Sequence, residues 1–183
     1  MKFIRASFAV LFAIVLIAAT GIIVATAGIQ SQTGYADMDL PAWYNSDTKI
    51  ILNIGPIGLK PVRWVIKRGL ESSDRPLDTS EQVLLKVLDD VQGMQLRVYG
   101  VDRDRARYER SIENSMTALK AQQWHTLVSV REDDDQALVM HYEEDGVITG
   151  LAILALTTDN AAFINLVGEF DPAEIVQSFN SFE

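Results

Sequence analysis

Hydrophobic and polar positions along this 183-residue chain change period several times, and each change marks an element. The first apolar stretch has no period at all. From Ala6 to Ile29 no charge appears, and residues 8–24 (FAVLFAIVLIAATGIIV) are apolar apart from Thr20 and Gly21. Lys2 and Arg5 precede it, the layout of an export signal or an N-terminal membrane anchor. Two small-residue sites suit a signal peptidase, Ala25-Thr26-Ala27 and Gly34-Tyr35-Ala36. A cleaved signal is the leading expectation, and an anchor of about 20 residues crossing the bilayer as a helix is the alternative. Residues 1–36 are assigned to this segment, 37–48 to an acidic tether, and 49–183 to a single domain facing outward.

Past the tether, strand and helix periods alternate. Residues 49–55 (KIILNIG) predict a strand ended by Gly55-Pro56. A helix follows as far as Gly69, with Pro61 in its first turn and Val62, Val65 and Ile66 on one face. Asp78-Thr79-Ser80-Glu81 has the form of a capping box. It opens a helix whose apolar residues Val83, Leu84, Val87, Leu88 and Val91 are stopped by Gly93. Residues 94–101 alternate, which predicts a strand with Met94, Leu96 and Val98 inward and Gln95, Arg97 and Tyr99 on a wet face. Residues 104–122 give a long helix with the stripe Tyr108, Ile112, Met116 and Leu119. Four strands follow at 126–131, 137–143, 147–156 and 162–167, with Asp145-Gly146 suited to a two-residue hairpin. Asp171-Pro172-Ala173-Glu174 opens a last helix that turns Ile175, Val176 and Phe179 inward. The order predicts an α+β domain: one mixed, mainly antiparallel sheet with helices packed on one face, preceded by the hydrophobic export helix. Leu151 to Leu156 (LAILAL) reads as a central strand buried on both sides. With helices on one face only, that run points to a homodimer or to a loop lying over the second face.

Composition narrows the chemistry. A hydrophobic content of 48% fills a core, and the absence of cysteine excludes disulfides, thiolate metal sites and a cysteine nucleophile. Net charge is −9, and losing Lys2 and Arg5 with the export segment takes the remainder to −11. Such a domain does not hold nucleic acid by bulk electrostatics, so an anionic partner needs a local patch.

Several stretches together carry a resemblance. They are Gln95-Leu96-Arg97-Val98-Tyr99, then Gln123-Trp124 ahead of Leu127-Val128-Ser129-Val130-Arg131-Glu132, then Ile148-Thr149-Gly150-Leu151, and finally residues 163–172 (FINLVGEFDP). From about Lys49 to the C-terminus the chain resembles the bacterial envelope proteins grouped as domain of unknown function 4252. The resemblance implies an exported bacterial protein and brings no catalytic residue. Many members carry a lipid-attachment cysteine after the signal; this chain has none.

The residues themselves offer little for catalysis. His125 and His141 lack metal-ligand spacing, and no metal or cofactor is expected. Asp133-Asp134-Asp135 and Glu143-Glu144-Asp145 read as soluble turns, since neither has the alternation of a calcium loop. Glycine-rich phosphate loops and a G-x-S-x-G turn are both missing. Arg103, Arg105, Arg107 and Arg110 are interleaved with acids and read as a self-neutralised helix face. The remaining candidate is a basic stripe on the first helix, Lys60, Arg63 and Lys67 with Arg68, set beside Trp64. An aromatic among cations suits an interface. The expected protein is a periplasmic or envelope interaction or ligand-binding module, with an envelope protein or small ligand as partner. It has no nucleic acid partner, and membrane contact only through residues 6–29 if they are retained. An envelope hydrolase built from distant polar residues is the alternative.

Overall fold

The computed structural model describes residues 29–38, 40, 48–71, 85–86, 89–101, 104–173 and 175. The apolar segment up to residue 28, most of the tether, and the capping box at 78–81 lie outside the described residues, as do Val176 and Phe179. Six strands form one sheet: β1 (Thr48–Ile54), β2 (Val91–Gly100), β3 (His125–Glu132), β4 (Asp135–Glu144), β5 (Val147–Leu156) and β6 (Asn160–Phe170). Their order is β1-β2-β6-β5-β4-β3, and every neighbouring pair is antiparallel. The expected mixed sheet is therefore antiparallel throughout. β6 returns between β2 and β5, which removes any need for parallel pairing. β3, β4, β5 and β6 form the meander that the tight turns predicted. Asp145 and Gly146 take φ values of 53° and 82°, and Asp133 takes 49° in the turn before β4.

Helix α1 (Pro56–Glu71) starts earlier than expected, because Pro56 rather than Pro61 occupies the first position. Helix α2 (Arg105–Ala121) is capped by Asp104, whose side chain accepts from the Arg107 N–H at 3.1 Å. Its stripe buries Tyr108, Ile112 and Leu119 as the period required, with Met116 partly buried. Gly93 does not stop a helix. It lies inside β2, where a Cβ would stand 3.0 Å from Ile29 Cγ1.

Side chains alternate across the sheet and build two separate cores. On the first face Tyr99, Phe163, Leu154 and Met140 meet Tyr108, Ile112 and Leu119 of α2, with Ala36 and Met38 completing the cluster. On the second face Leu52, Leu96, Val98, Leu151 and Ile164 meet Leu59 of α1 and Ile175. Helices thus cover both faces, not one. The apolar run of β5 asks for this: Leu151 faces one core while Ala152 and Leu154 face the other. One chain supplies both covers, so the run gives no argument for a dimer.

The predicted wet face of β2 is buried as well. Gln95 and Arg97 are 2% and 3% exposed, and Tyr99 is fully buried. Tyr99 lies against Tyr108 of α2, and beside Gln95 runs a strap, residues 29–38, which begins with a single 3-10 turn at Ile29–Ser31 and was placed by sequence in the export segment and tether. Gly34, at φ +83°, sits so close to β5 that a Cβ there would lie 2.1 Å from the Thr149 carbonyl oxygen. Asn165 of β6, fully buried, clamps the strap. Its Oδ1 accepts the Ala36 N–H at 3.0 Å, while its Nδ2 donates to the carbonyls of Gly34 and Leu151, both at 3.2 Å.

Candidate functional site

The four stripe residues of α1 divide by role. The Arg63 guanidinium donates to the Val91 carbonyl, tying the helix to the first residue of β2. Lys67 Nζ lies 2.8 Å from Asp89 in a half-exposed ion pair, worth at most about 1 kcal/mol at such a site. Both cations are directed at the domain itself. Trp64 instead points outward at 62% exposure, the most exposed large hydrophobic side chain among the described residues. Arg68 sets its guanidinium 5.7 Å from the Trp64 ring centroid, a cation–π arrangement, and both Lys60 and Arg68 are exposed. Lys60, Trp64 and Arg68 recur every four residues, so they share one helix face. Arg68, read in the sequence as part of the same stripe, is the cation that lies against Trp64, and Arg63 and Lys67 are not.

The two histidines do meet. His125 opens β3 directly opposite His141 of β4, with ring centroids 5.7 Å apart. Among the described residues no group of three His, Asp or Glu side chains could hold a metal ion. Burial lowers the His141 pKa, the His125 charge lowers it further, and Glu143 acts against both. The folded protein binds this proton less readily than the unfolded chain, where histidine titrates near about 6.5. Stability from this site is therefore full above that pH and declines as pH falls below it. Urea unfolding at about pH 7.5 and about pH 5 is expected to show the decline, and His141→Gln to reduce it. An equal decline in the variant would assign it elsewhere.

The acidic turns do not come together. They sit at opposite ends of β4, a strand whose length at roughly 3.4 Å per residue keeps them about 30 Å apart. The interleaved Arg cluster behaves as its pattern suggested at Arg105, whose Nε lies 3.0 Å from Glu109 while its other nitrogens donate to the carbonyls of Thr157 and Asp134. On the first face, burial raises the Tyr99 pKa and the neighbouring Arg97 opposes the rise. Gln95, Arg97, Ser115 and Asn165 are the buried polar side chains nearby, and Gln95 pairs with Asn165 across β2 and β6. Among the described residues no helix is long and apolar enough to cross a membrane.

These features define a single-sheet α+β domain whose distinctive exposed chemistry is an aromatic–cation helix face. The chain belongs to the family described as Domain of unknown function (DUF4252), which matches residues 69–178, well over half of its length. No curated protein and no solved structure matches it. The matched segment starts inside α1, so the strap, β1 and the Lys60–Trp64 turn lie outside it.

Proposed function

We propose that the chain is an exported cell-envelope protein that works by non-catalytic contact through the Lys60, Trp64 and Arg68 face of α1. The exposure of Trp64 beneath the Arg68 guanidinium carries this reading. A large aromatic left in water is costly unless an interface covers it, and Trp and Arg are the side chains that dominate interface energetics. Arg63 and Lys67, offered with Lys60 and Trp64 as binding residues, act as supports that fix the helix on β2 and Asp89. The export segment supports the envelope location. Periplasmic release after cleavage and retention by an anchor both leave the face outward.

Cross-linking in the native envelope tests the reading. The triple variant Lys60→Ala, Trp64→Ala, Arg68→Ala is expected to lose the cross-linked species, lipid or protein, while keeping its urea midpoint. Arg63→Ala is the contrast, expected to cost about 1–2 kcal/mol of stability through the lost charged hydrogen bond and to keep its contacts. Unchanged cross-linking in the triple variant would remove this face from the function.

A further inference from the structure

We infer that, where residues 6–28 are retained as a membrane anchor, the Lys60, Trp64 and Arg68 face rests on the anionic headgroup surface of that membrane, an inference that rests on the anchored form of the envelope reading above. Its first support is where the chain enters the domain. Ile29, the last apolar residue before the polar stretch that opens at Gln30, is 3% exposed and held over Gly93 of β2. Arg63, next to Trp64, is bonded to Val91 of the same strand. The entry point and the stripe are thus fixed to one end of β2, on its two faces. They are separated by roughly 20 Å, about two helix diameters.

No spacer intervenes. The polar stretch after Ile29, which suits a flexible linker by sequence, folds along the sheet as far as Met38. With the apolar run in the bilayer, this end of the sheet is held at headgroup level and α1 comes with it.

The chemistry of the face fits that position. An indole is amphipathic and favours the headgroup layer, and a cation close to an anionic leaflet gains about 1 kcal/mol. Asp89 is occupied by Lys67 beside the stripe. The acidic Glu143-Glu144-Asp145 turn also lies at this end of the sheet. It belongs to β4 and β5, with β6 between them and β2, so it stands about 10–15 Å to one side at ordinary strand spacing. Asp90 and the exposed Glu169 also sit at this end, where β2 pairs with β6, so the domain leans with its β1 edge and α1 toward the lipid. Two cations and one indole do not hold a free domain of this acidity. Joined to an inserted segment, they act at the millimolar effective concentration typical of a short link.

The test uses the full chain with Trp43→Phe, leaving Trp64 and the buried Trp124 as indoles. The protein is reconstituted into vesicles of brominated phosphatidylcholine, with or without phosphatidylglycerol. Phosphatidylglycerol is expected to increase quenching of Trp64, and Lys60→Glu with Arg68→Glu to weaken that contact by roughly tenfold or more. Trp64→Phe should abolish the quenched component, with an unchanged urea midpoint showing each variant folded. Quenching indifferent to phosphatidylglycerol and to charge reversal would overturn the inference. If the reversal also abolishes a protein cross-link in the native envelope, the contact face survives and its partner is a protein. If the cross-links persist, both readings fall.

Discussion

A chain that begins at Asp37 is expected to be less stable than one that begins at Gly28 by about 3 kcal/mol, which lowers the thermal midpoint by roughly 10 °C for a domain of this size. The loss has three sources. Ile29 and Ala36 leave the core, where they are 3% and 0% exposed. The apolar surface under the strap, including Trp124 against Gly150, opens to water. Asn165 keeps its place but loses the Ala36 donor and the Gly34 acceptor. Against this, the shorter chain no longer has to order the strap, and the recovered backbone entropy holds the net effect to a few kcal/mol. Thermal unfolding of the two purified forms checks the difference; equal midpoints would show that the strap is passive. The comparison also separates the two cut sites. Cleavage after Ala27 leaves the strap whole, whereas cleavage after Ala36 removes Ile29 and Ala36 and leaves Met38.

Asn165→Leu is expected to cost about 3 kcal/mol in the chain that keeps the strap, because the Ala36 N–H and the Gly34 carbonyl are left buried and unbonded. In the chain beginning at Asp37 the same substitution should cost under about 1 kcal/mol, since those two partners are gone and the space they leave admits the larger, similarly branched leucine. The coupling between the two changes, read from a double-mutant cycle of urea midpoints, is then about 2 kcal/mol. Additive effects would place the role of Asn165 within the sheet, at its bond to Leu151, and detach it from the strap.

Most of the sheet was legible from local signals. Asp145-Gly146, the apolar run of β5, and the α2 stripe each depend on a few neighbouring residues, and those interactions survive into the fold. What sequence reading missed depends on residues far apart in the chain. Gln95 and Arg97 are polar and alternate with apolar neighbours, so they read as solvated; both are buried, and beside Gln95 runs a strap some sixty residues earlier. Asn165 looked like one polar residue in an apolar strand, and its partners lie 129 and 131 positions away. Helices on both faces were missed for a related reason. Leu59 and Tyr108 sit on elements of similar amphipathic pattern, and nothing local says which face each will cover. On the candidate face, Trp64 and Lys60 were found by composition. Arg63 and Lys67 carried the same charge signal, yet Val91 and Asp89 claim them in space.

The position of β6 sets the timing of assembly. β2 pairs with β1 on one side and with β6 on the other, and the clamp on the strap is itself a β6 side chain. For a chain threaded through a translocation channel from its N-terminus, the strap and β2 emerge long before Asn165 does. Neither can complete its bonding until nearly the whole polypeptide has crossed. High contact order of this kind slows folding. In a chain exported this way, the early part stays extended and threadable while the rest follows, and Ala36 stays open to a peptidase until Asn165 closes over it.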